Sequence, residues 1–354
     1  MNRLPTASEV QAYFQNAFSA FKRAVESTAE PESHFYQLGK NVICLQFVGP
    51  QLVPKLTLAL QHLKTGPVVK PDLTIGIWDG KSTGVNLAPP TNSSKDYISR
   101  TEIKGYCTSS IKISHDVAGG VLNLLDLESN IALFWVKDSE VVPYYESAAP
   151  FRASLAAWFQ VSGYQYLHAA AVGASGGAVV LAGKGGSGKS TTAINCLRAG
   201  LDYLGDDYCV TSMEAKPVVY SLYNSAKLDL DASFKFPQIM EALNDSPRIE
   251  AEKNLFYLSK QFGDQIQLSL PIKAIFLPRI RDQLETTITP VSAAEALTRL
   301  APSTIFQLPL DGKRAFRFMA SLVQRVDCYN LNLGTVFENV PKVIQAFLEQ
   351  DNVS

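Results

Sequence analysis

The stretch "LHAAAVGASGGAVVLAGKGGSGKSTTAINCLRAGLDYLGDDY", residues 167–208, decides the fold class. Two short apolar runs, "LHAAAVG" and "AVVLAG", read as strands joined by an "ASGG" turn. "GKSTTAINCLRAG" reads as a helix closed by Gly200. Between second strand and helix stands "GKGGSGKS" (183–190), which fits G-x-x-x-x-G-K-[ST] in the strand–loop–helix context that gives the pattern meaning. The physical demand is specific. Backbone N–H groups must converge on phosphates, so glycines are needed where a side chain would block approach or where φ is positive. Gly183, Lys184, Gly185, Gly186, Ser187 and Gly188 form that cradle, and Thr191 continues the helix whose N-terminus adds partial positive charge. Lys189 is expected to reach the β- and γ-phosphates, and the Ser190 hydroxyl to ligate Mg²⁺. The loop names a nucleotide phosphate as ligand but no reaction.

After the helix comes "LGDDYCV" (204–210), with Asp206 sixteen positions past Ser190. Two adjacent ionised carboxylates repel when buried and need a cation or a bound proton. Mg²⁺ answers that need, with one carboxylate on the metal or its waters and the other free near the γ-phosphate. The alternative is a solvated turn. His168 opens the first strand. Taken alone it reads as a satisfied core residue; beside a carboxylate it can orient that group or shuttle its proton.

Further out, residues 8–26 show helical spacing of Val10, Phe14, Ala17, Phe18, Phe21 and Val25, with Ser8 as a possible cap. "NVICLQFV" (41–48) reads as a strand and "PQLVPKLTLALQHL" (50–63) as a helix. From 72 to 147 the signals are mostly strands, apart from a polar loop over 81–100. Trp78, Trp135, Tyr144 and Tyr145 read as core. Beyond the loop, "IKAIFLP" (272–278) and "DCYNLNLG" (327–334) read as strands, with helices at 292–300, 311–325 and 335–349. The expected organisation is an α+β N-terminal domain over 1–150, for substrate docking or assembly, and an α/β phosphate-loop domain over 151–354. A helix at 149–162 serves as hinge or shared element.

Composition narrows the function classes. The 354 residues carry 32 Lys and Arg against 33 Asp and Glu, so no broad cationic field favours nucleic acid. At 46% hydrophobic the chain can bury a large core. Cys44, Cys107, Cys196, Cys209 and Cys328 are scattered and without a CxxC pair, which suits reduced thiols. The start has no signal-like apolar run, and region 166–182 is too polar and broken to span a bilayer. A cytoplasmic protein without membrane contact is expected.

His168 in "LHAAAV", the loop "GKGGSGKST" with its helix ending at "RAG", and Asp206–Asp207 in "LGDDY" resemble the catalytic domain of HPr kinase/phosphorylase and its relatives. The order and spacing of these parts are very similar there. "SLYNSAKLDL" (221–230), "EKNLFYL" (252–258), "PIKAIFLPRI" (271–280) and "DCYNLNLG" continue the resemblance more weakly, over roughly 165–335. It implies a nucleotide-binding fold akin to phosphoenolpyruvate carboxykinase, with ATP and Mg²⁺ as cofactors and a protein serine hydroxyl as acceptor. By the same resemblance Asp206 holds metal with Ser190, Asp207 accepts the hydroxyl proton, and His168 tunes the pair. The two aspartates could exchange roles. Lys227 and Lys253 stand where relatives carry basic residues near phosphates. The resemblance allows a homo-oligomer.

Two departures set the chain apart from true HPr kinases. No glutamate-containing "ERG"-type signature follows residue 207, where Asp229 and Asp231 are the nearest acidic candidates. No motif of the regulatory domain stands in the N-terminal region. HPr itself is therefore not the expected substrate. The leading expectation is a kinase of a serine or threonine hydroxyl on a protein or peptide. A non-catalytic nucleotide-binding module and a small-molecule kinase stand as alternatives.

Overall fold

The computed structural model describes residues 3–28, 30–229, 236–249, 253–307 and 312–350. The chain is mixed α/β and divides into two compact units, Met1–Leu58 with Leu63–Trp158, and Ala59–His62 with Phe159–Ser354. The helix Arg152–Val161 contributes residues to both.

In the first unit, eight strands form one sheet: β1 (Glu32–Leu38), β2 (Asn41–Val48), β3 (Lys64–Thr65), β4 (Leu73–Asp79), β5 (Glu102–Cys107), β6 (Ile111–Asp116), β7 (Val121–Asp126) and β8 (Ile131–Val136), in the order β3-β1-β2-β4-β8-β7-β6-β5. The helix Ala7–Thr28 lays Val10, Phe14, Ala17, Phe21 and Ala24 on one sheet face, against Trp78, Leu122, Leu133 and Trp135. Their 3.6-residue spacing forms one apolar stripe, and burying it holds the helix in place. The cap falls on Thr6 and not on Ser8. The Glu9 N–H donates to the Thr6 hydroxyl at 3.3 Å, and the Thr6 N–H to the Glu9 carboxylate at 2.8 Å, a reciprocal capping box.

Over 50–63 the expected single helix is broken into a turn of α-helix, Val53–Leu56, and a 3₁₀ segment, Leu58–Leu63. The Thr57 hydroxyl donates to the Val53 carbonyl at 2.8 Å, the local bonding by which threonine weakens helix continuation. Strands β1 and β5 had no clear apolar pattern in sequence. One lies next to the short edge strand and the other is itself an edge, where burial is incomplete.

The second unit carries a nine-stranded sheet. Its strands are β9 (Tyr164–Leu167), β10 (Ala169–Ala174), β11 (Gly177–Ala182), β12 (Asp202–Gly205), β13 (Cys209–Ser212), β14 (Val218–Tyr220), β18 (Ser269–Ile280), β19 (Thr287–Pro290) and β20 (Asp327–Leu333). β15 (Ser225–Asp229), β16 (Arg248–Ile249) and β17 (Lys253–Tyr257) form a separate small sheet. β10 and β11 are an antiparallel hairpin, while β11 runs parallel to β18 and β18 parallel to β20.

Both faces of the central strands are buried. Ala170, Val172, Val179 and Leu181 face a core with the helices Lys189–Arg198 and Asn339–Glu349. Ala169, Ala171, Ala178 and Val180 face another, with Ala293–Gln307 and Gly312–Arg325. This two-sided burial is why "AVVLA" reads as an unbroken apolar run. All five cysteines are free, and four are buried. Among the described residues, no helix is long and apolar enough to cross a membrane.

Candidate functional site

Sheet register gathers the expected residues at one end of the second unit's sheet. Ala169 pairs with Ala182, so His168 lies beside the first residue of the loop. Ala171 pairs with Gly205, which carries Asp206 and Asp207 beyond the end of β12 at the same sheet end. Cys209 pairs with Leu167, returning the chain past His168.

The loop leaves β11 at Ala182 and enters the helix at Lys189, with no side chain capping the helix N-terminus. First-turn amides of such a helix lack intrahelical partners and point into the loop. Gly186 at φ 73° and Gly188 at φ 98° both occupy the left-handed region. At Gly188 a Cβ would also come within 2.8 Å of Leu333 Cδ1, so conformation and packing both demand glycine. A Cβ at Gly185 or Gly186 would meet open space, the room a phosphate cradle needs. Ser187 Oγ is buried without a hydrogen-bond partner among the described residues.

Lys189 is buried. Its ammonium donates to the Gly183 carbonyl at 2.8 Å and the Lys184 carbonyl at 3.2 Å. Burial lowers its pKa, while the charges of Asp206 and Asp207 act in the opposite sense. Lys253 adds to the lowering, so that lysine stands electrostatically close to the loop. Its ammonium pairs on the exposed sheet face with Asp229 at 2.9 Å. Asp231 and the outer ends of 221–230 and 252–258 lie outside the described residues.

The two aspartates occupy different environments. Asp206 is 2% exposed, accepts the Asp207 N–H at 2.9 Å and the Lys227 N–H at 3.3 Å, and takes a hydrogen bond from the Ser190 side chain. Burial, and then repulsion from Asp207, push its pKa up. Asp207 sits at φ 70° in a tight turn where the Tyr208 N–H donates to the Asp206 carbonyl at 2.8 Å. Aspartate tolerates this region better than most residues. Its Oδ1 meets His168 Nε2 at 3.0 Å and its Oδ2 meets Lys227 Nζ at 2.7 Å. Burial alone would push the Asp207 carboxyl up. The hydrogen bond from His168 and the Lys227 charge overcome this and hold it far below the usual carboxylate range.

His168 is buried, with its ring against Tyr208 and its backbone N–H donating to Thr304 Oγ1 at 3.1 Å. The hydrogen bond to an ionised carboxylate assigns the proton to Nε2, and Nδ1 has no partner among the described residues. Lys227, which the resemblance places near phosphates, is tied to both aspartates, by its backbone N–H to Asp206 and its ammonium to Asp207. Sequence patterns did not single out Tyr208 or Thr304, because neither role follows from local spacing.

The donor set suits a hard divalent cation. Ser190 and Asp206 offer adjacent oxygen ligands, and among the described residues no group of three His, Cys, Asp or Glu side chains could hold a metal by itself. Mg²⁺ is typically held that way, by one or two protein oxygens together with substrate phosphates.

No family model matches the chain, and no curated protein matches it. Among solved structures the chain is similar to the structure of the Hpr(Ser) kinase/phosphatase from Coxiella burnetii. The identity is 10%, the TM-score 0.31, and the likeness covers 52% of this chain and 89% of that one. A likeness at this level identifies neither family nor reaction.

Proposed function

We propose that the protein is an ATP- and Mg²⁺-dependent kinase that transfers the γ-phosphoryl group to a serine or threonine hydroxyl of a protein or peptide. The single observation that carries this reading is the divided aspartate pair beside a glycine-rich loop of phosphate-binding form. One carboxyl is sealed in with the loop serine, and the other is ionised and reachable from solvent, its side chain 29% exposed.

The loop amides and the helix N-terminus bind the phosphates, and Lys189 exchanges its loop carbonyls for phosphate oxygens. Ser190 and Asp206 would hold Mg²⁺, which when bound would neutralise charge on the nucleotide phosphates. Asp207 receives the acceptor hydroxyl. His168 and Lys227 each occupy one of its oxygens, and each oxygen keeps a further lone pair for the incoming O–H. Phosphoryl transfer asks little of a base beyond orientation, because proton loss follows a loose transition state. A carboxylate of low proton affinity, held rigid from both sides, suits that role.

The test is incubation of the purified protein with γ-labelled ATP, Mg²⁺ and extract from its own source. A labelled protein or peptide acceptor is expected, and Asp207→Asn is expected to abolish labelling while retaining ATP binding. Equal labelling by wild type and Asp207→Asn would remove Asp207 from the mechanism.

A further inference from the structure

On the other side of the phosphate loop from the aspartates lies a cavity of about 780 Å³. Its walls are the outer turn of the loop (183–187), the end of β18 with Arg279, Ile280 and Arg281, and the helix Ala293–Gln307 with Arg299, Pro302 and Phe306. Among the described residues its walls include none of Lys189, Ser190, Asp206 and Asp207.

Topology explains the separation. β18 is the parallel neighbour of β11, with Leu181 opposite Phe276, so residues 278–281 emerge directly beside the loop. The aspartates emerge on the opposite side, after β12, with β10 between them and β11. The cavity is thus open to the other end of a ligand whose terminal phosphate would meet Lys189 and the aspartates.

The walls are chemically two-sided. Phe306 is 86% and Ile280 71% exposed, an unusual outlay of apolar surface beside a polar loop. Arg279, Arg281 and Arg299 line the same cavity. Glu295 is the acidic partner of Arg279, and burial with the neighbouring Arg279 and Arg281 charges lowers the pKa of Arg299. Arg281 and Arg299, which form no ion pair among the described residues, stand beside exposed apolar side chains, a combination that suits a planar ring system joined to phosphate.

We infer that this cavity holds the nucleoside end of the nucleotide, with the base against Phe306 and Ile280 and the α-phosphate and ribose toward Arg281 and Arg299. The inference rests on the nucleotide reading of the loop, and it adds a binding site that the loop pattern does not contain. Pro302 lies inside the same helix, one turn before Phe306, and has no amide hydrogen to donate to the preceding turn.

Calorimetric titration with Mg²⁺ and either ATP or inorganic tripolyphosphate separates the two ends of the ligand. Phe306→Ala is expected to weaken ATP about tenfold, the scale of one lost base–aromatic stack, and Arg299→Ala about tenfold through a lost charged hydrogen bond to the phosphate. Phe306→Ala leaves tripolyphosphate within about twofold of wild type, and Phe306→Trp retains ATP binding. Phe306 is largely exposed, so its replacement leaves the fold intact. ATP affinity unchanged in both the Phe306 and Arg299 alanine variants would overturn the inference. So would Phe306→Ala weakening both ligands equally. Wild-type protein that binds neither ATP nor tripolyphosphate would overturn the nucleotide reading of the loop itself.

Discussion

His168 Nε2 and Asp207 Oδ1 stand 3.0 Å apart although they lie 39 positions apart in the chain. The contact exists because β9 and β10 flank His168 while β12 and β13 flank the Asp-Asp turn, and these strands pair with one another. Lys227 closes the other side of the carboxylate. A half-buried charge is thereby kept ionised without a metal, and its orientation is set by two neighbours from different elements.

On the proposed mechanism His168 positions Asp207, so its loss should affect turnover more than binding. His168→Ala is expected to lower phosphoryl transfer by about 10²-fold, the scale of a misplaced catalytic group. ATP affinity by calorimetry should stay near that of wild type. His168→Gln, whose amide can still donate to Asp207, should recover part of the rate. An equal loss in both variants would argue that the ring matters only for packing.

Lys227→Met removes one partner of an ion pair in which the lysine side chain is 16% exposed and the aspartate 29%. A loss of about 1–3 kcal/mol in urea unfolding at neutral pH is expected. The Asp207 pKa is depressed on folding, so its contribution is present above the ordinary value of 3.8 and is lost as pH falls below it. The gap between wild type and Lys227→Met should therefore narrow in acid.

Lys189→Met keeps the alkyl stem but loses the ammonium that now bonds the Gly183 and Lys184 carbonyls. Mg-ATP affinity should fall by at least about tenfold, with the melting temperature changed by only a few degrees. Unchanged ATP binding would detach the loop from its proposed ligand.

Gly188→Ala and Gly185→Ala separate loop conformation from loop composition. Gly188 has φ 98° and Leu333 2.8 Å from a Cβ position, whereas a Cβ at Gly185 meets nothing within 4 Å. The first substitution is expected to cost about 1–3 kcal/mol, the second close to nothing. Chemical denaturation of the two variants side by side measures the difference.

His62 lies far from the loop in sequence. It hydrogen-bonds the Ser221 side chain at 2.8 Å and the Asn224 side chain at 3.3 Å. Burial lowers its pKa from 6.5 to about 3. The folded state holds the neutral ring, so its contribution is complete above pH 6.5 and is lost as pH falls toward 3. His62→Gln should flatten the stability-versus-pH slope across that window by about one proton.

Much of the second unit was legible because its signals are local. A two-sided buried strand must be apolar throughout, as Ala178–Leu181 are, and a strand-to-helix loop with left-handed positions needs glycine there, as at Gly186 and Gly188. The edge strand β5 was not legible, since a half-solvated strand needs no apolar pattern. The break within 50–63 was hidden too, because a hydrophobic run does not report where threonine bonding ends a helical turn.

At the candidate site the division is sharper. The amino-acid sequence by itself determined the loop, its lysine and serine, and the adjacent aspartates, because backbone geometry ties those residue types to fixed spacings. Only the tertiary structure decided that Asp206 is sealed beside Ser190 while Asp207 is held by His168 and Lys227. It likewise set Arg279, Arg281, Arg299 and Phe306 around one cavity. Burial and charge pairing arise from strands and helices that meet across long sequence separations, and no local pattern encodes which side chains face one another there.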